Sequence, residues 1–285
     1  MNALDPKRRK ATSYRLGASL AAAAGGLLTW VLWQMALEVS LYLRPWLAIG
    51  WMALLTAAFL RVYVVPARWN ARGRARSRVR APAPRTWAWV AVTAPAIAAL
   101  PLALWIVLLA LGMAQDAELP EPLRKFMEKP GGEIAFYLLA IGIAPLLEEF
   151  AFRGWVQRPV ERRLGAQAAI TISAVLFSIA HFQADYFPVR LAGGLVLGHA
   201  VYATRSVWTG VALHGAWNAG VMAFGAAFPD FDPMGKGWPW AGPAVAVALV
   251  SLVWCAWGVR RMQDAAAAPR TGARGAASGL PVEQA

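Results

Sequence analysis

The feature that most constrains this chain is a succession of eight apolar runs, at 17–37, 46–65, 87–113, 134–156, 167–182, 189–202, 207–228 and 241–259, separated by short polar or basic pieces. Runs of this length belong in a bilayer, where each backbone N–H and C=O must find its partner within the protein. Helices meet that demand. The expected fold class is therefore all-α: a polytopic membrane helix bundle of about eight transmembrane helices. Composition agrees, since 59% of the 285 residues are hydrophobic and only 15% are charged. No internal repeat or second domain is visible. The expected divisions are a basic N-terminus at 1–16, a bundle at 17–260 and a disordered Ala/Gly/Pro/Arg-rich tail at 261–285. The basic start before the first run resembles a signal peptide, but the run is too long for one and more spans follow, so it reads as an uncleaved first helix.

The net charge of +13 is not a nucleic-acid signal, because the cations sit in the short segments between spans. Of 28 Lys and Arg residues, 21 fall on one side of an eight-span layout and six on the other, with Arg153 inside. The positive-inside rule then puts both termini in the cytoplasm and the protein across the cell (plasma) membrane as a multi-pass chain. The basic stretch 68–85 serves that topology or touches anionic lipid head groups. The single cysteine, Cys255, excludes a disulfide framework or a cysteine-based metal site within one chain. Many of the fifteen tryptophans fall near span ends, as an interfacial belt does.

Against this background LLEEFAFRGW, residues 146–155, is anomalous. A charge at the centre of a spanning helix costs roughly 2.5 kcal/mol or more, so an intramembrane cluster of ionisable groups points to function. The competing reading is a salt-bridge cluster at a helix end. Helical spacing sorts the charges. Glu149 and Arg153 are four apart and can pair on one face. Glu148, rotated by about 100°, has no local cation and is left free for chemistry. Three further polar sites lie in apolar runs: Phe177 with His181, His214 with Asn218, and His199 alone. Glu148 and His181 lie symmetrically about the basic turn near Leu164, so a helical hairpin folded there brings them to one level. His214 and Asn218 can reach a similar depth. If the helix leaves the membrane near Gln157, that depth is about 14 Å from the cytoplasmic face.

Such a set suits water activation: a buried carboxylate as general base, a histidine to share the water, and a second histidine with an asparagine amide to donate to an oxyanion. No serine or threonine stands in a nucleophile context. Peptide hydrolysis by an activated water fits best. A zinc protease built on His181, His214 and a glutamate is the alternative mechanism, although H-E-x-x-H spacing is absent. A non-catalytic membrane immunity or binding protein using the same pocket is the alternative class.

EEFAFR (Glu148 to Arg153), FSIAH (Phe177 to His181) and HGAWN (His214 to Asn218) resemble, in order, the E-E-x-x-x-R, F-x-x-x-H and H-x-x-x-N/D motifs of the CPBP family. That family contains the type II CAAX prenyl endopeptidases and the Abi-like proteins. The resemblance runs from about Leu146 to Gly220 and includes Gly154, Gly193, Gly194 and Gly198. It implies a glutamate-dependent intramembrane endopeptidase with a protease core at about 133–228, acting without metal or cofactor on a membrane-associated protein or peptide. By that resemblance Glu148 and His181 activate the water, His214 and Asn218 bind the oxyanion, and Glu149, Arg153 and Phe177 support them. His199 matches no motif and reads as a packed or water-facing histidine. Prenylated C-termini, peptide pheromones and sorting-signal tails are all open as substrates. The Ala/Arg/Trp-rich composition points to a high-GC bacterium.

Overall fold

The computed structural model describes residues 24–61 except 26 and 29, 78–114, 120–232 and 239–268. Among these residues the architecture is all-helical. A helix at 30–41 (α1) is followed by α2 (Pro45–Phe59), α3 (Pro84–Ala110), the short α4 (Glu121–Met127) and a long α5 (Gly132–Leu164). Then come α6 (Ala166–Ile179), α7 (Phe187–Thr204), α8 (Val207–Ala227) and α9 (Ala241–Ala267). Proline opens α2 and α3, where its missing N–H leaves nothing unsatisfied that the helix start had not already left. Pro95 and Pro101 lie inside α3 without ending it.

Three of these helices, α3, α5 and α9, are long and apolar enough to cross a membrane. The apolar α2 and α6 are shorter. Large side chains on the outer face of α9, such as Val250 and Val253, are exposed in a pattern that suits lipid. The inner face of α9 packs on α3. A Cβ at Gly258 would come within 2.1 Å of Thr93 Oγ1, so only glycine allows the helices this close. Trp254 Nε1 also donates to the Val92 carbonyl at 3.1 Å.

The helix ends depart from the apolar runs. The fourth helix continues past Gln157. It runs on to Leu164, so the basic piece at 158–164 forms its last turns. Arg162 and Arg163 there oppose the negative end of the helix dipole, and Gly165, at φ 83°, ends it. The fifth helix stops at Ile179, short of His181. The last helix continues to Ala267, past the expected tail boundary at 260, with Arg261 lying over the rings of Trp89 and Trp257. The acidic segment before the fourth span contains α4, held by the pairs Glu121–Lys125 and Arg124–Glu128. The N-terminus at 1–16, residues 68–77 of the basic loop and the tail from 269 lie outside the described residues.

The end of α5 is tied to the rest of the bundle through Glu161. Its carboxylate accepts from Arg78 at 2.5 Å and pairs with Arg158 at 2.7 Å and Arg205 at 3.5 Å. Burial pushes the Arg78 guanidinium down to about 10, against the opposing pull of Glu161. The Arg78 carbonyl also receives the Val207 N–H, which seats the start of α8 against the end of α5.

Candidate active site

Local sequence explains why α5 is irregular at its centre. Two π-helical stretches, Leu139–Ile143 and Phe150–Gln157, flank one α-helical turn, Ala144–Glu149, that carries both glutamates. Ala144 N–H bonds to the Leu139 carbonyl, five residues back. In that register the next donor would be the N–H of Pro145, which does not exist, so the Ala140 carbonyl is left without a helical partner. Asn218 Nδ2 donates to it from α8 at 2.7 Å. One amide hydrogen of Asn218 is thus committed to the backbone of α5, and one remains.

The charges divide as their spacing suggests, with one addition. Glu149 is fully buried, and its Oε1 lies 2.9 Å from Arg153 Nη1 and 3.0 Å from His214 Nδ1. Arg153, equally buried, also donates through Nη2 to the Gly194 carbonyl at 3.2 Å. One turn on, Gln157 Nε2 donates to the Gly198 carbonyl at 3.0 Å. Two side chains four apart on α5 therefore grip two carbonyls four apart on α7. Glycine gives the room on both sides of α7: a Cβ at Gly198 would sit 3.1 Å from Gln157 Oε1 of α5, and one at Gly194 3.1 Å from the Ala174 backbone of α6.

Glu148 makes neither contact. Its Oε1 is 4.0 Å from His181 Nε2, and its Oε2 is 3.6 Å from His214 Nε2. Both gaps exceed a direct hydrogen bond and suit a bridging water. The other ring nitrogens orient the imidazoles. His181 Nδ1–H donates to the Phe177 carbonyl at 2.8 Å, which caps the end of α6 and leaves Nε2 as a lone pair towards Glu148. His214 Nδ1–H donates to Glu149 Oε1. Phe177 is the wedge between them. Its ring centroid is 4.8 Å from that of His181 and 5.6 Å from that of His214, and the Arg153 guanidinium lies over its face at 4.7 Å.

Glu148, His181, His214 and Asn218 all line one cavity of about 540 Å³. One face of α8, from His214 through Trp217, Asn218 and Val221 to Phe228, forms a wall roughly 21 Å long. His199 is elsewhere: its Nδ1–H donates to the Leu195 carbonyl, and its Nε2 faces Gln167 at 3.3 Å. Among the described residues no three His, Cys, Asp or Glu side chains stand at metal-ligand spacing. Sequence reasoning missed three neighbours of the site. Trp30 of α1 packs against Phe152 and His181, with ring centroids 5.6 and 5.7 Å away. Gln157 needed its i, i+4 relation to Arg153 to be noticed. Arg190, counted only among the six cations of the opposite side, lines the cavity.

Gly210 on α8 faces the back of Glu149. A Cβ there would meet Glu149 Oε2 at 2.5 Å and Val201 Cγ2 at 2.7 Å. Alanine for glycine in an open helix position stabilises by about 0.5–1 kcal/mol. Here the sign is expected to invert. Gly210→Ala should lower the melting temperature, at a cost of about 1–3 kcal/mol from overpacking, and should displace Glu149 from His214. A melting curve that shifts upward would contradict the geometry.

Fold and site together define an all-helical membrane protein with a buried acid–base cluster opening on an apolar cavity. Residues 130–220 match the family model described as type II CAAX prenyl endopeptidase Rce1-like. Over that stretch the chain is similar to the CAAX protease family of membrane hydrolases, and its three long apolar helices fit a membrane-embedded protein. No curated protein and no solved structure matches it.

Proposed function

We propose that the chain is an intramembrane endopeptidase that hydrolyses a peptide bond with a water activated by Glu148. One observation carries this reading: Glu148, free of Arg153, holds its carboxylate between two imidazole Nε2 atoms at the head of a cavity. In the proposed step Glu148 takes one proton of a water whose other hydrogen points to His181 Nε2, and the water oxygen attacks the carbonyl carbon. The resulting oxyanion accepts from the uncommitted amide hydrogen of Asn218 and from a protonated His214 Nε2. Glu148 returns its proton to the leaving nitrogen as the C–N bond breaks, giving a carboxylic acid and an amine. Glu149 holds His214 and Arg153 in place.

The family description supports a substrate cut near the C-terminus of a membrane-associated protein or peptide. The protease core is read at about 133–228 within an eight-span bundle whose termini are cytoplasmic. The test has two arms. Purified protein in liposomes is given a fluorogenic prenylated CAAX peptide, and C-termini of the membrane proteome are compared between cells with and without the chain. Glu148-dependent cleavage that survives a chelator is the expected result. Cleavage lost to chelator and restored by zinc would move the reading to a metalloprotease, and cleavage that persists in Glu148→Gln would end it.

A further inference from the structure

Arg190 stands in the first turn of α7 and lines the cavity that holds Glu148 and His181. Its guanidinium is fixed in two ways. It lies over the Tyr186 ring at 5.4 Å, and its Nη2 donates to Gln183 Oε1. The other edge is free: Nη1 is buried and has no hydrogen-bond partner among the described residues. None of the ion pairs among those residues involves Arg190. Arg153, by contrast, is balanced by Glu149. The surrounding wall is aromatic and apolar, with Trp105, Trp217 and Phe228 among its members.

A pinned guanidinium with an unused edge in an apolar wall is a receptor for a carboxylate. The cavity also needs one. A substrate carboxylate entering beside Glu148 meets a like charge, and a fixed cation offsets that repulsion. Because Nη1 is enclosed, a chain terminus fits against it better than a side chain flanked by residues on both sides.

Resting on the peptidase reading above, we infer that Arg190 anchors the free C-terminal carboxylate of the substrate. The cleavage site is then measured from the end of the chain. Arg190 is a specificity residue in this scheme and takes no part in the bond-breaking step.

The test uses the purified full chain in liposomes and matched apolar peptides. Each is made as the free acid and as the C-terminal amide, with and without an internal aspartate. Cut positions are read by mass spectrometry and kcat and KM by rate. Wild type is expected to prefer the acid over the amide by about 10–100-fold, mainly through KM, the range for one hydrogen bond to a charged group. Its cuts should fall at one distance from the terminus. Arg190→Gln should bring the acid-to-amide ratio down to about one, whatever change in rate the two peptides share. Should that variant fail to melt cooperatively, Arg190→Lys carries the test, and a point charge without the fork should keep part of the preference. Equal losses on acid and amide, a preference that follows the internal aspartate, or a wild type blind to the terminus would each overturn the inference while leaving the peptidase reading intact. Absence of any Glu148-dependent cleavage strikes that reading itself, and the role of Arg190 falls with it.

Discussion

Glu148→Gln is expected to lower peptide turnover by about 10²–10⁴-fold, the range for removing a positioned general base, with the melting temperature nearly unchanged. The two halves of that expectation have separate causes. Glutamine keeps the shape of the side chain but cannot take a proton from water. Stability is spared because the Glu148 carboxylate makes no direct hydrogen bond to His181 or His214, standing 4.0 and 3.6 Å from them. Arg153 keeps its own partner, since it pairs with Glu149. Single-turnover kinetics and a melting curve on the same preparation check both halves. A Glu148→Gln protein that melts far below wild type would make this residue part of the scaffold and leave its chemistry unproven.

Glu149→Gln is expected to behave differently, with folding yield and activity falling together. Glu149 Oε1 is shared by Arg153 at 2.9 Å and His214 at 3.0 Å, and the Glu149 and Arg153 side chains are fully buried. Neutralising the carboxylate leaves Arg153 charged without the carboxylate it pairs with. Breaking a buried pair in this way costs on the order of 3–5 kcal/mol. Turnover falls as well, because His214 exchanges a charged acceptor for a weaker amide oxygen that no longer fixes its Nδ1 proton as firmly. A second substitution separates the causes. Adding Arg153→Met removes the stranded charge and should restore much of the melting temperature while activity stays low. If Glu149→Gln instead melts like wild type but is inactive, while Glu148→Gln still turns over, the two glutamates have been assigned in the wrong order.

Much of this could be read from local spacing. Residues four apart on a helix meet without help from the rest of the fold, so the Glu149–Arg153 pair follows from the sequence alone. The apolar runs dictate helices, because lipid offers the backbone no other partner. Symmetry about the turn at Leu164 brings Glu148 and His181 to one level, and they stand 4.0 Å apart. Helix ends were less legible. The basic residues at 158–164 look like a loop by polarity, yet they form the exposed end of α5 because Glu161 gathers Arg78, Arg158 and Arg205 around it.

What the sequence by itself determined is thus the class of element, the one-turn pairs and the residues that can meet across one hairpin. Only the tertiary structure decided which carboxylate orients His214. The two glutamates are adjacent in sequence, and the choice depends on how α8, some 65 residues away, rotates against α5. The same holds for Asn218, which caps the carbonyl that Pro145 leaves open, and for Arg190, only a topology cation by sequence, which lines the cavity once α7 is in place. These contacts join residues far apart in the chain. They depend on helix rotation and close approach, set by glycines such as Gly194 and Gly210 whose effect is felt only when a second helix lies against them.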